Sequence, residues 1–318
     1  MSRTSSTKDL LHHKNKHRAP YDFEKLVAAE PWLAAFIEEN KYGTVSIDFF
    51  NTKAVVALNR ALLKLHYNIN NWSIPENFLC PPIPGRVDYI HYVADLLASE
   101  NNGAIPTGNT INCFDVGTGA SCIYPLLGNA AYGWSFVGSD NNVKAFKAAK
   151  NNLKENPQIA GAILLEIQND PNSIFKGLVQ SKDRFDLSFC NPPFHSSAKE
   201  AEKGALRKTR NLKDRKASAA KLNFGGQSNE LWCKGGEYEF IKRVIQESES
   251  FKTNFLWFTT LVSKSSNLPH FEKWLTAAQV NEMKVIEMKQ GQKISRLLCW
   301  TYLPKEKRQI WVNSRWKK

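Results

Sequence analysis

The sequence contains no run of about 18 consecutive apolar residues, which a helix needs to cross the hydrocarbon core of a bilayer. Its first residues also lack the apolar segment of a secretory signal peptide. These two absences disfavour a membrane partner and indicate a cytoplasmic protein. At 318 residues and 42% hydrophobic content, the chain has enough apolar side chains for a substantial core.

The six cysteines are scattered, and none forms a Cys-x-x-Cys pair or joins a histidine cluster with metal-ligand spacing. Several lie inside apolar segments, where a reduced cysteine acts as a small hydrophobic side chain. We therefore expect a reducing compartment and no metal. The sequence carries no signal for an oligomer, and a monomer is the expectation.

The net charge of +13 is concentrated in three segments. Basic residues outnumber acidic ones by five to one in residues 1–18, by nine to three in 199–221 and by six to one in 305–318. Flexible basic segments around a near-neutral body are typical of proteins that bind phosphate backbones, and such binding weakens with salt. The alternative is a set of solvated tails without a partner.

Apolar periodicity divides the chain into three parts. Residues 1–20 form a basic, flexible N-terminus, and residues 21–100 form a helical extension. Residues 101–318 alternate strands with helices and form a Rossmann-like domain. Within this domain, residues 196–236 are rich in Ser, Ala, Lys, Arg and Gly, and we interpret them as a basic loop that binds the substrate.

The third part contains seven strand-like segments, at 110–116, 134–138, 162–167, 185–190, 255–262, 284–288 and 296–303. The last two segments are joined by a short stretch around residues 289–293, which leaves no room for a crossover helix. These two strands should therefore form an antiparallel hairpin at the sheet edge. An α/β fold with seven strands and a terminal hairpin is typical of class I methyltransferases.

The first of these strands ends in Asp115-Val116-Gly117-Thr118-Gly119-Ala120-Ser121, and a helix follows. Glycines at such a turn allow the backbone to approach a ligand closely. Cys122 takes the place of the third glycine in the dinucleotide-binding pattern, so a strong pyrophosphate site is not indicated. The turn fits a nucleoside without phosphates, and S-adenosylmethionine is such a nucleoside.

Polar residues end the next two strands. Asp140 follows the second strand, where an acid can accept hydrogen bonds from both ribose hydroxyls of a nucleoside. The alternative is that Asp140 caps the helix that begins at Val143. Asn169 and Asp170 follow the third strand, where their side chains can read the adenine edge of the cofactor.

The fourth strand stops at Asn191-Pro192-Pro193-Phe194-His195. Two prolines end a strand abruptly, at the sheet edge where ligands bind in α/β proteins. The Asn191 side-chain carbonyl and the Pro192 backbone carbonyl are two acceptors for one exocyclic amino group, and Phe194 has a flat face for base stacking. This set suits methyl transfer to an amino nitrogen. In isolation the motif is also compatible with a plain loop.

These motifs occur together with further blocks at 81–91, 115–128, 191–195, 223–226 and 231–237. With them the sequence resembles the bacterial 23S rRNA (adenine(1618)-N6)-methyltransferase family, of RlmF type, and its eukaryotic relatives that methylate structured RNA. The resemblance implies S-adenosylmethionine-dependent N6-methylation of one adenine in 23S rRNA, either as rRNA or within a large-subunit assembly intermediate.

The resemblance also implies a set of site residues. The catalytic residues that hold the target adenine are Asn191, Pro192, Pro193 and Phe194. The residues that bind S-adenosyl-L-methionine are Arg86, Asp115, Gly117, Gly119, Ser121, Asp140, Asn169, Asp170 and Asn191.

Three other functions stay open at this point. The same chemistry acts on another structured RNA, on DNA adenine or on a protein glutamine amide, although the basic segments disfavour a protein substrate. A nicotinamide-dependent oxidoreductase uses a similar sheet, but the glycine pattern is incomplete. An RNA-binding module without catalysis is the third, and the intact 191–194 motif disfavours it.

Overall fold

The computed structural model describes residues 10–39, 43–76, 78–197, 200, 230, 232–290 and 293–316. Residues 1–9, most of the predicted substrate loop 196–236 and the 223–226 block lie outside the described residues. None of the described helices is long and apolar enough to cross a membrane.

The N-terminal part is largely helical. Its elements are α1 (Phe23–Ala29), β1 (Ile37–Glu39), β2 (Val45–Ile47), α2 (Thr52–Tyr67) and α3 (Ile83–Glu100), and the two strands form a small antiparallel sheet. Asn51 caps α2 by accepting hydrogen bonds from two backbone amides. Helix α3 begins at Ile83 within the proline-rich segment 81–86, because proline is tolerated in the first turn of a helix.

The rest of the chain builds one central sheet flanked by helices. Its strands are β3 (Asn112–Val116), β4 (Ser135–Asp140), β5 (Ile163–Ile167), β6 (Phe185–Cys190), β7 (Phe255–Val262), β8 (Glu282–Gln290) and β9 (Lys293–Thr301). Its described helices are α4 (Ile123–Tyr132), α5 (Val143–Lys154), α6 (Pro157–Ala160), α7 (Gly236–Ser248), α8 (Leu268–Ala277) and α9 (Lys305–Arg315).

The sheet order is β5-β4-β3-β6-β7-β9-β8. The first five strands of this order are parallel, and β9 pairs antiparallel with both β7 and β8. The predicted seven-stranded α/β sheet with its edge hairpin is therefore confirmed. Strands β6 and β7 are buried along their whole length, as expected for strands covered by helices on both faces.

Residues 10–20 pack against the helical extension, so the expected flexibility of the N-terminus is wrong for this part. His17 is fully buried, and its Nε2 lies 3.0 Å from the Tyr67 hydroxyl. The Asn15 side-chain amide and the His12 backbone amide both donate to the Asp88 carboxylate on α3. These contacts need two particular side chains on helices distant in sequence, Tyr67 on α2 and Asp88 on α3, which composition does not show.

The C-terminal basic segment is also not a solvated appendage over residues 305–316. It forms α9, in which Arg308 is 4% exposed. The Arg308 guanidinium lies 2.9 Å from Glu100 and 2.6 Å from Glu282. Part of the basic charge therefore neutralises carboxylates of the protein itself.

We expect Arg308→Ala to reduce the free energy of unfolding by about 3 kcal/mol, because it leaves the buried Glu100 carboxylate without its cation. Lys289→Ala is the matched control, since Lys289 pairs with Glu287 on the surface at 3.7 Å and such pairs contribute about 1 kcal/mol or less. Urea denaturation of both variants measures the difference. Equal losses would contradict a structural role for Arg308.

Candidate active site

A cavity of about 790 Å³ lies at the carboxyl ends of β3, β4 and β6, within the usual size range of ligand sites. Strand register brings these ends together, because Val116 of β3 pairs with Cys190 of β6 on one side and Ser139 of β4 on the other. The chain order reverses at this point of the sheet, which is where α/β sheets bind ligands. The predicted residues that line the cavity are Arg86, Gly117, Gly119, Ser121, Asp140, Asn191 and Pro193.

The glycine turn has the conformation that its sequence predicts. Gly117 and Gly119 have φ angles of +70° and +67°, which glycine adopts without steric penalty. The Thr118 backbone amide donates to the Ser139 carbonyl at 2.9 Å, so the turn is fixed to the end of β4. Cys122, which replaces the third glycine, also has a left-handed φ of 52° and is fully buried.

Side chains from two other elements hold the carbonyls of this turn. The Trp72 indole donates to the Ser121 carbonyl at 2.9 Å, and Asn152 of α5 donates to the Ala120 carbonyl at 3.2 Å. Both Trp72 and Asn152 are buried. The helical extension therefore fixes part of the ligand site as well as adding to the core.

Asp140 connects the turn to β4 and faces the cavity. Its Oδ2 accepts from the Gly119 amide and its Oδ1 from the Asn142 amide, both at 2.8 Å. The expectation that Asp140 caps α5 is wrong, because the Asn142 side chain makes the capping bonds to Lys144 and Ala145. Burial raises the pKa of Asp140. A carboxylate has about four acceptor sites, so beside its backbone donors Asp140 retains capacity for a ribose hydroxyl.

Asp115 lies under the turn and is not among the residues that line the cavity. Its side chain is 1% exposed, and burial raises the pKa of its carboxyl to about 7. Both of its carboxylate oxygens are buried and accept no hydrogen bond from the residues that the structure describes, so the cofactor-binding role of Asp115 stays a prediction.

Arg86 lies in the first turn of α3 and lines the cavity. One of its terminal nitrogens donates to the Tyr124 hydroxyl at 2.8 Å. Its Nε is buried and has no partner among the residues that the structure describes. An arginine with unused donors in a cavity is suited to a carboxylate, such as the one on the methionine part of the expected cofactor.

The 191–194 motif follows β6 directly. Asn191 and Pro193 line the same cavity, whereas Pro192 and Phe194 are not among the residues that line it. Asn191 is half-buried, and its Oδ1 is a buried acceptor that receives no hydrogen bond within the described part of the chain. Pro192 is buried, Pro193 lines the cavity, and Phe194 is half-buried. Buried acceptors are almost always satisfied in folded proteins. The Asn191 carbonyl is therefore placed for a donor that a ligand supplies.

Tyr89 fixes the end of β6, and sequence reasoning missed it. Its hydroxyl accepts from the Cys190 amide at 3.2 Å and lies 2.7 Å from the Thr259 hydroxyl. Thr259 in turn donates to the Ser188 carbonyl, so the Tyr89 hydroxyl donates to Thr259. Tyr89 lies on the apolar face of α3, where the pattern predicts only a core residue.

The loop after β5 contacts the cavity at other residues than those predicted. Asn169 and Asp170 are exposed and do not line it, whereas Gln168 and residues 171–174 do. Asp170 accepts from the Asn172 amide and the Ser173 hydroxyl, so its carboxylate stabilises the loop. Trp232, Lys234, Phe240 and Arg243 also line the cavity. Sequence reasoning did not assign them to the site, although Trp232 and Lys234 belong to the 231–237 block.

The raised pKa of Asp115 predicts a pH-dependent stability. The folded state prefers the protonated Asp115 carboxyl. Its contribution to the free energy of unfolding is therefore fully present below a pH of about 4, where the unfolded state is also protonated. The contribution is lost as pH rises toward 7. Compared with Asp115→Asn, the wild-type protein should lose stability between pH 4 and 7 in urea denaturation without ligand. Parallel curves would contradict this effect.

Asp140→Ala should raise the dissociation constant of S-adenosylhomocysteine about tenfold or more, because it removes acceptors and releases the Gly119 amide. Asn142→Ala is the control. It removes the cap of α5 and should reduce stability by about 1 kcal/mol while leaving affinity unchanged. Isothermal titration calorimetry and urea denaturation separate the two effects. Unchanged affinity in Asp140→Ala would exclude a binding role.

The comparisons with known proteins agree with this geometry. The chain is 50% identical over 311 residues to ribosomal RNA large subunit methyltransferase F of Cytophaga hutchinsonii, with 98% of this chain and 97% of that protein covered. It is also 50% identical over 309 residues to the protein of that name from Flavobacterium johnsoniae, with 96% and 98% covered.

Two solved structures of human proteins are similar. The METTL16 catalytic domain in complex with a MAT2A 3'UTR hairpin has a TM-score of 0.77 and 30% identity, covering 92% of this chain and 96% of that one. The METTL16 N-terminal domain in complex with SAH has a TM-score of 0.72 and 26% identity, covering 92% and 99%. A family model described as RNA methyltransferase matches residues 5–304. The chain belongs to this family of RNA methyltransferases, which confirms the resemblance found in the sequence.

Proposed function

We propose that this protein transfers the methyl group of S-adenosylmethionine to the N6 atom of one adenine in large-subunit ribosomal RNA. The observation that carries the proposal is the buried, unsatisfied Asn191 carbonyl beside the glycine turn, in one cavity. Relatives at 50% identity named ribosomal RNA large subunit methyltransferase F support the substrate.

The residues present fit the cofactor. S-adenosylmethionine, when bound, supplies an electrophilic methyl group on a sulfonium. Arg86 offers unused donors for its carboxylate, and the open backbone above Gly117, where a Cβ would contact nothing within 4 Å, gives it room. Asp140 would accept from one of its ribose hydroxyls. Gln168 and the 171–174 segment, rather than Asn169 and Asp170, would contact the adenine of the cofactor.

The 191–194 motif acts on the target base. The N6 lone pair of adenine is delocalised into the ring, so the free amino group is a poor nucleophile. The Asn191 Oδ1 and the Pro192 carbonyl accept the two N6–H groups, which favours a pyramidal nitrogen with its lone pair directed at the methyl group. The same two dipoles stabilise the positive charge that develops during transfer. Water takes the proton of the methylated nitrogen, so this reaction needs no general base beforehand.

Positioning supplies much of the rate. Phe194 stacks on the base after it has left its RNA context, as in enzymes that act on a flipped or unpaired base. Tyr89 fixes the position of the end of β6 by accepting a hydrogen bond from the Cys190 amide. Holding sulfur, methyl and nitrogen in line converts a bimolecular reaction into an effectively unimolecular one.

The test is to map N6-methyladenine in large-subunit rRNA from cells with and without this protein, and to repeat the transfer with purified protein and labelled cofactor. We expect one modified adenine to disappear in its absence. Label in DNA or protein fractions instead of rRNA would overturn the substrate, and stabilisation by NAD but not by S-adenosylhomocysteine would overturn the cofactor.

Asn191→Ala should lower kcat at least 100-fold, since removing one preorganised dipole from a reacting centre has effects of about this size. The affinity for S-adenosylhomocysteine should change little. Asn101→Ala, at the exposed end of α3, is the control with unchanged kcat. Lost cofactor affinity with unchanged turnover would remove Asn191 from the catalytic role.

We further propose that the protein works in the cytoplasm, as a monomer and without a metal. The six cysteines are free, and five are buried, which suits a reducing compartment. His12, His13 and Asp95 lie close enough to bind an ion. However, His12 Nδ1 accepts from the Lys14 amide, so its Nε2 carries the proton and donates to Asp95. Light scattering of the purified protein tests the monomeric state, and metal analysis tests the absence of a metal.

A further inference from the structure

Trp232 carries a buried hydrogen-bond donor that the reaction above does not use. It lines the cavity, and its indole Nε1 is buried without an acceptor in the described part of the chain. A buried donor left unsatisfied costs about 1–3 kcal/mol, and an indole N–H can only donate. An acceptor supplied by a ligand would satisfy it.

Several other indoles of the protein have an acceptor for their N–H, whereas Trp232 lacks one in the described part of the chain. Their Nε1 atoms donate to acceptors of the protein at 2.7 to 3.2 Å in Trp72, Trp134, Trp257, Trp300, Trp311 and Trp316. The fold thus provides acceptors for indoles that serve only packing. The exception is the indole at the cavity wall.

The backbone places Trp232 on the substrate side of the cavity. It forms a parallel bridge with His195, the residue directly after Phe194. The Cys233 amide donates to the His195 carbonyl at 3.1 Å, and a Cβ on Gly236 would lie 3.1 Å from the His195 backbone. This close contact fixes the Trp232 segment relative to the 191–194 motif.

We propose that the Trp232 indole N–H donates to a ring nitrogen of the target adenine, N1 or N7, while the Asn191 Oδ1 accepts from N6. This inference rests on the proposed function. In adenine the N6 amino donor has an acceptor nitrogen on each side, so one acceptor and one donor of the protein match the edge. Guanine and uracil present an oxygen at the position of N6, which the Asn191 oxygen repels. Asn191 then supplies the discrimination against guanine and uracil, and Trp232 is a further residue that recognises the target adenine.

The first experiment compares Trp232→Phe, which keeps an aromatic ring and removes the N–H, with Trp274→Phe. Trp274 lies on α8, packs on Tyr238 and does not line the cavity. For Trp232→Phe we expect kcat/KM on unmodified large-subunit rRNA to fall about tenfold, with the dissociation constant of S-adenosylhomocysteine within about twofold of wild type. Trp274→Phe should match wild type in both. Lost cofactor affinity with unchanged kcat/KM at saturating cofactor would assign the N–H to the cofactor and overturn the proposal.

The second experiment removes the acceptor instead. Synthetic rRNA fragments carry 1-deazaadenosine or 7-deazaadenosine at the mapped adenine, and wild type and Trp232→Phe are compared on each. On one of the two fragments, wild-type kcat/KM should be about tenfold lower than on unmodified RNA. The loss should be much smaller for Trp232→Phe, because this variant already lacks the hydrogen bond that the deaza substitution removes. Equal losses in both proteins overturn the pairing. If wild type methylates no adenine of unmodified rRNA, the proposed function fails before this comparison is made.

Discussion

The parallel pairing of β3 with β6 is the constraint on which the site depends. It places Val116 beside Cys190, so the glycine turn and the 191–194 motif begin at the same edge of the sheet. These motifs are more than 70 residues apart in sequence, and each is ordinary by itself. Their chemistry exists only because hydrogen bonds between two strands fix the distance between a nucleoside-binding turn and a pair of carbonyl acceptors.

Buried polar contacts fix the backbone on both sides of the cavity mouth, at the end of β6 and at the glycine turn. Tyr89, Thr259 and Ser188 form a connected set of hydrogen bonds under the end of β6, with the direction of each proton fixed by its neighbours. Trp72 and Asn152 do the same for the glycine turn. Such contacts are directional, whereas apolar packing tolerates small shifts. The helical extension is therefore part of the catalytic scaffold, since it supplies both Tyr89 and Trp72.

Some of the basic residues form ion pairs within the protein instead of facing a partner. A simple count suggests three basic tails, yet Arg308 lies between two carboxylates and Arg315 lies 3.6 Å from the buried Asp186. Asp95 binds both His12 and Lys14. These basic residues are therefore engaged within the protein, and the net charge of +13 already includes the carboxylates that they neutralise. Salt dependence of RNA binding should be interpreted with this internal pairing in mind.

The sequence by itself determined the fold class, the strand order of the motifs and the chemistry of the site, because apolar periodicity, glycines and prolines act locally. It placed Gly117, Gly119 and Asn191 correctly at strand ends, since the glycines indicate a turn and the two prolines after Asn191 indicate the end of a strand. The tertiary structure alone decided that Asn142 rather than Asp140 caps α5, and that Asp170 stabilises its own loop. It also revealed Tyr89 and Trp232. The role of Tyr89 depends on its partners within about 3 Å, and the proposed role of Trp232 depends on the lack of one among the described residues. Both result from packing between segments that are distant in the chain.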